Sequence, residues 1–278
     1  MDARSFLGLE ATHNPFRWVL PVTQGICTPG GFLFGGCGLG AAIAALEETT
    51  GRPLVWATAQ YLSYARPPEV LDLDVIVSVA GHQVTQARVV GHVADREVIT
   101  VNAALGQRHM EHDGTWAVMP EVPSPEECSR RELRLPTDGN SLPDRLDVRL
   151  ASGLNLAELS GKGLPGEGMP EGRSALWAKM PDVLDMSSAS LAILGDYVPF
   201  GIGQALGLAA GGNSLDNTLR VGQQVPTEWV LLDVRVHQVR NGFGHGDVHL
   251  WSQSGILLAT ASQSAIVRLW KQMPGLDR

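Results

Sequence analysis

No apolar run in this chain approaches the roughly 18 residues that a membrane-spanning helix requires, so a helical membrane protein is excluded. The N-terminus, Met-Asp-Ala-Arg-Ser-Phe, lacks the basic region, apolar run and small-residue cleavage site of a secretory signal, and a cytoplasmic location is expected. Cysteine is scarce. Cys27, Cys37 and Cys128 fall at spacings that suit neither a disulfide framework nor a zinc site, and they read as free thiols. Positive charge is also short: 21 Lys and Arg stand against 29 Asp and Glu, a net charge of −8 that argues against a nucleic-acid surface. A phosphate-bearing ligand would need a local basic patch. Neither Gly-x-Ser-x-Gly nor an arguable Cys–His pair is present, which speaks against a serine or cysteine hydrolase. His109, Glu111 and His112, like His245, Asp247 and His249, lack recognised ligand spacing, and no metal is expected. Residues 161–166 match a dinucleotide fingerprint by letter, but Pro165 and the want of a following helix make them a loop.

What is present is an ordinary globular composition, 44% apolar and 18% charged over 278 residues, long enough for two domains. Phe16 to Leu20 reads as a strand. Residues 37–48 carry Leu39, Ala42, Ile43, Ala45 and Leu46 among small residues, the pattern of a helix buried nearly all round, with Gly36, Gly38 and Gly40 allowing close approach at its start. The period then changes to two. Residues 55–64, 71–79, 84–93 and 98–105 read as antiparallel strands, so a helix and its meander form an α+β layer pair. Four prolines and a charged run mark residues 121–143 as a linker between a unit over 1–120 and another over 144–278. Past it, 175–179 reads as a strand, 187–197 as a helix stopped before Pro199, and 201–210 as its continuation after a kink.

The later strands repeat the earlier ones. Residues 57–62 lie over 214–219, 73–75 over 232–234, and 98–102 over 257–261, which implies a weak internal duplication. Within the second copy two polar side chains are out of place. Gln263 shares a strand face with Ala259, Ala261 and Ala265, where an amide without a partner costs roughly 1–3 kcal/mol, so it is either a core amide bonded to backbone or part of a site. Asp216, between Leu215 and Leu219, is either a strand-edge carboxylate or a catalytic one.

Phe34-Gly35-Gly36 before a small-residue helix, Arg66-Pro67 after a strand, Leu194-Gly195-Asp196, Ser214-Leu215-Asp216-Asn217-Thr218, Glu228-Trp229-Val230-Leu231 and the run 255–263 occur in that order. As an ordered set, covering nearly the whole chain, they resemble the acyl-CoA thioesterase II family of double-hotdog proteins. The resemblance implies a tandem hotdog, with two antiparallel sheets each wrapping a central helix, and hydrolysis of fatty-acyl or related coenzyme A thioesters in fatty acid metabolism. That family holds and activates a water with an Asp, a hydroxyl residue and a Gln. Asp216 and Gln263 align with the first and last, and the hydroxyl position falls at or beside His237, where the chain has no Ser or Thr.

The expected chemistry then places a water between Asp216 and Gln263, with His237 as the third member and backbone N–H groups of the 36–38 helix start facing the oxyanion. Gly35, Gly36, Cys37 and Arg66 are the expected substrate contacts, coenzyme A belongs to the substrate, and no further cofactor is expected. Two rivals stay open. One is a hotdog hydratase or dehydratase acting on 3-hydroxyacyl thioesters, disfavoured because the first helix offers only Glu47 and Glu48, at its far end. The other is a non-catalytic acyl-CoA-binding module. Further pairing into a homo-oligomer through sheet edges is compatible with either.

Overall fold

The computed structural model describes residues 1–133, 139–160, 168–183 and 186–269. The first half contains α1 (Ala3–Leu7), β1 (Glu10–Ala11), β2 (Arg17–Pro21), α2 (Gly35–Thr50) and the meander β3 (Leu54–Tyr61), β4 (Val70–Ala80), β5 (Val84–Val93) and β6 (Arg96–Gly106). As its small-residue pattern requires, α2 is buried continuously from Gly36 to Leu46. It ends where Gly51 turns left-handed, at φ 64°, and its N–H returns to the Glu47 carbonyl.

The second half contains α3 (Leu142–Arg145), β7 (Asp147–Ser152), α4 (Leu156–Ser160), β8 (Arg173–Lys179), α5 (Ser188–Leu194), α6 (Val198–Leu206), β9 (Ala210–Ser214), β10 (Asp216–Val221), β11 (Val230–Arg240), β12 (Phe243–Ser252) and β13 (Leu257–Leu269). Its central helix is broken, as the proline predicts. Pro199 is tolerated in the first turn of α6, where its missing N–H costs nothing, and Asp196 and Tyr197 occupy the break before it.

All pairings are antiparallel, in the order β1-β2-β4-β5-β6-β3-β10-β13-β12-β11-β8-β7, with β9 also on β13. This is a double hotdog whose two expected sheets continue as one across the seam between β3 and β10. There Thr58 lies opposite Thr218 and their hydroxyls meet at 2.6 Å. The sheet wraps α2 and α5, which pack directly on one another because α2 presents glycine. A Cβ on Gly36 would sit 2.8 Å from the Ala192 carbonyl, and one on Gly40 2.8 Å from that of Ala189.

The segment between the halves is no free tether. Ala117, Met119, Val122 and Cys128 pack on a second cluster formed by Trp177, Trp229, Leu231 and Trp251, and the Trp177 indole donates to the Pro123 carbonyl at 2.9 Å. The fingerprint-like stretch 161–166 lies outside the described residues. Residues 168–172 close at Gly172, whose added Cβ would meet the Val236 carbonyl at 2.4 Å.

Candidate active site

The break between α5 and α6 brings a carboxylate into the core. Asp196 is only 7% exposed, and α2 approaches it with the Gly36 N–H, which donates to Oδ2 at 2.7 Å. Gln263 reaches the same carboxylate from β13: its Nε2 donates to Oδ1 of Asp196 and also to the Ser214 Oγ, the latter at 3.2 Å. The amide is oriented from its other end, where Oε1 accepts the Val198 N–H at 3.1 Å. Ser214, the last residue of β9, completes the group with its Oγ 3.5 Å from Asp196 Oδ1, a long contact. Burial pushes the Asp196 carboxyl up to about 6, while Gln263, Gly36 and Ser214 pull it the other way.

Two cavities meet at this carboxylate. One, of about 330 Å³, is lined by Gly35, Tyr61, Tyr64, Ile99 and Ser214 among others; the second, of about 530 Å³, runs toward Arg131, Leu142 and Val148. Phe32, Phe34, Asp196 and Pro199 border both. Among the described residues no histidine lines either.

Beside Asp196 stands a phenol with nothing to bond. A Cβ on Gly35 would lie 2.8 Å from Asp196 Oδ2 and 3.0 Å from the Tyr61 hydroxyl, so glycine is what lets both groups face the head of α2. The Tyr61 hydroxyl and both amide atoms of Asn217 are buried without a hydrogen-bond partner among the described residues. Burial first, and then the Asp196 carboxylate, hold the phenol well above its ordinary range. Asn217 opposes that rise, although no hydrogen bond of good geometry joins the two.

The structure therefore brings Gln263 together with Asp196 and Ser214, and not with Asp216 or His237. Asp216 opens β10, separated from the end of β9 by Leu215 alone, and its Oδ1 accepts the Ser264 N–H at 2.8 Å. The carboxylate satisfies a donor of β13 where the chain passes from β9 to β10, so it fixes the turn that places Ser214 beside Gln263. His237 sits on a bulge of β11 where pairing to β12 shifts between Val236 and Gln238, and its exposed ring pairs with Asp247 at 2.8 Å.

The expected substrate contacts separate as well. Gly35 lines the smaller cavity. Gly36 spends its N–H on Asp196, and the N–H groups of Cys37 and Gly38 both return to the Phe34 carbonyl, so the 36–38 helix start does not offer the free donors expected of it. Cys37 is fully buried and lines neither cavity; burial raises its thiol far above the usual range. Arg66 is exposed and outside both linings, with its backbone N–H bonded to Glu69 at 2.7 Å. Among the described residues no three His, Cys, Asp or Glu side chains assemble as a metal site, and no helix is long and apolar enough to cross a membrane.

Asp196 was visible in the sequence as the one charge between the apolar runs Leu191–Leu194 and Val198–Ile202. A lone carboxylate there demands partners, and that demand was the overlooked signal.

Comparison with known proteins bears on the family and the fold. Residues 125–267 match the family model of the acyl-CoA thioesterase C-terminal domain. A candidate thioesterase from Novosphingobium aromaticivorans superposes with a TM-score of 0.81 at 35% identity, covering 93% of this chain and 97% of its own. A hot dog protein from Alicyclobacillus acidocaldarius (TM-score 0.80, 19% identity, 96% and 97% covered) and the tesB protein of Mycobacterium avium subs paratuberculosis (0.76, 17%, 96% and 98%) share the fold. A search among curated proteins found no match. The half-chain family match and the 35% identical structure place this chain in the acyl-CoA thioesterase II family, as a thioester hydrolase on a double-hotdog fold.

Proposed function

We propose that the chain hydrolyses acyl-CoA thioesters with Asp196 as general base on a water held by Gln263 and Ser214. The observation that carries this reading is a buried carboxylate, pushed up to about 6, at the junction of two cavities. A base near neutrality both exists in its ionised form and retains the basicity to take a proton. Its lone pairs are aimed by three donors on three elements: Gly36 from α2, Gln263 from β13 and Ser214 from β9.

In the proposed step the water oxygen bonds to the acyl carbon as its proton passes to Asp196. The tetrahedral intermediate places charge on the former carbonyl oxygen, for which the Tyr61 hydroxyl, held protonated by its surroundings, and the Gly35 N–H at the head of α2 supply donors. Collapse breaks the carbon–sulfur bond, and the proton on Asp196 goes to the departing thiolate. Free acid and CoA thiol result, water is the only co-reactant, and no further cofactor is needed. The shared cavity border at Phe32 and Phe34 suits a substrate with an arm on each side of the reacting carbon, as a thioester has. We place the reaction in cytoplasmic fatty acid metabolism.

A hydratase or dehydratase would need an acid–base pair of another kind. Glu47 accepts the Leu54 N–H at 2.8 Å and the Ser188 hydroxyl at 3.0 Å, tying α2 to β3 and α5, and no histidine reaches the cavities. The deciding assay is thiol release from a panel of acyl-CoA esters by wild type, Asp196→Asn and Gln263→Ala. Binding without release in the wild type leaves an acyl-CoA-binding module; release that survives Asp196→Asn unchanged refutes the mechanism.

A further inference from the structure

The larger cavity contains a cation that the hydrolytic step does not use. Arg131 lies in the segment after Cys128, anchored by its N–H to the Val148 carbonyl at 2.7 Å. Its guanidinium stacks over the Phe200 ring at 4.6 Å and stands 5.9 Å from the Tyr197 ring. The stacking covers one face of the group and leaves its N–H edge, with five donors, facing elsewhere. Among the described residues no acceptor or carboxylate pairs with that edge. Other arginines differ: Arg130 donates to the Leu146 carbonyl at 3.3 Å, and Arg145, Arg149 and Arg173 pair with Asp182, Asp147 and Asp233. The carboxylates that share the cavity are engaged, Asp144 with Ser141 and Asp196 with Gly36 and Gln263. Burial lowers the Arg131 guanidinium from its usual range. Ring contacts offset only part of such a desolvation, and the half-buried cation has no counter-charge among the described residues.

We propose that the Arg131 guanidinium receives an oxyanion of the substrate at the wall of the larger cavity. The ring faces fix the plane of the group, so its N–H fork is set for the two-oxygen geometry of a carboxylate or a phosphate. The substrate class follows from the thioesterase reading, and it offers that chemistry twice: on the phosphates of coenzyme A, or on a carboxylate ending the acyl group. The surrounding wall, with Phe32, Leu133, Leu142 and Val148, is apolar and strengthens any charge pairing within it.

The test uses four thioesters, hexanoyl and adipoyl, each on coenzyme A and on N-acetylcysteamine, which lacks phosphate. With Arg131→Leu, KM rises about tenfold or more for the thioesters that present the recognised anion and stays within about twofold for the rest, the contrast expected of one charge-assisted pair. A loss on both coenzyme A esters alone assigns the phosphates. A loss on both adipoyl esters alone assigns the terminal carboxylate. Equal loss on all four, hexanoyl-N-acetylcysteamine included, or loss on none, overturns the proposal. If Arg131→Leu does not fold, Arg131→Lys carries the test, since its KM shift on the anionic arm must still exceed that on hexanoyl-N-acetylcysteamine. Calorimetric titration of the same proteins with coenzyme A and with adipate separates the two claims. Arg131-dependent binding without hydrolysis sinks the thioesterase reading alone, and hydrolysis with Arg131-independent binding sinks this proposal alone.

Discussion

The Asp196 carboxylate and the Gly36 N–H meet at 2.7 Å across 160 residues of chain, so the first turn of α2 holds the charge exposed by the break between α5 and α6. Neither half of the protein makes this contact alone. Asp196→Asn removes the base and sets an amide N–H₂ against at least one of the Gly36 and Gln263 donors. Thiol release should fall by about 10² to 10⁴ in kcat, the range for loss of a positioned general base. Asp216→Asn keeps an oxygen for the Ser264 N–H and should stay within about threefold of wild type, as should the surface change His237→Ala. Steady-state assays on the three variants separate the buried carboxylate from Asp216 and His237, the two residues expected from the sequence.

The acidic limb of kcat should follow a group near 6 and rise with pH, because the reaction requires the ionised form of Asp196. Stability should move in the opposite sense. The folded carboxyl titrates above its ordinary 3.8, so its contribution is fully present below that value and is lost as pH rises through about 6. Over that window the wild type should lose up to roughly 3 kcal/mol relative to Asp196→Asn. Urea melts of both proteins at pH 4.5 and 7.5 measure the difference; parallel pH dependence of the two would show that Asp196 is not the group concerned.

Tyr61→Phe deletes a buried hydroxyl that has no hydrogen-bond partner among the described residues. If the hydroxyl served the fold alone, removing an unsatisfied group would leave activity intact and stability equal or higher. The oxyanion role instead gives a fall of about 10 to 10³ in kcat with KM nearly unchanged, since the interaction is made in the transition state. Stopped-flow thiol release together with a thermal melt distinguishes these outcomes.

Gly36→Ala would place a methyl group 2.8 Å from the Ala192 carbonyl and 2.9 Å from the Ile193 Cα. The helices must separate to admit it, at a cost of about 1–3 kcal/mol. The same displacement draws the Gly36 N–H from Asp196, so activity should fall even at temperatures where the variant is fully folded. Circular dichroism and an assay at 20 °C below the measured midpoint test the two effects separately.

Much of this fold was legible because its strands alternate cleanly. Residues 84–93 were read at their observed bounds, and the small-residue helix and the kink at Pro199 followed from local chemistry. The site was harder because it is built where regular patterns stop. Asp196 lies in a helix break, and Ser214 ends β9 with only Leu215 between it and the next strand. His237 stands where the resemblance puts a hydroxyl residue, but the bulge between Val236 and Gln238 leaves its ring exposed on β11 and away from Gln263. Gln263, in the stretch of β13 from Ala259 to Ile266 that pairs regularly with β12, could be found by strand parity. Its partners depend on contacts across 49 and 67 positions of sequence, which no local period encodes.

The seam from Asp216↔Gln60 to Arg220↔Trp56 joins the two halves within one chain. Bringing α2 to Asp196 is therefore a first-order event, governed by the effective concentration of one half in the presence of the other. Dilution, which would dismantle a site shared between separate hotdog subunits, leaves this one assembled.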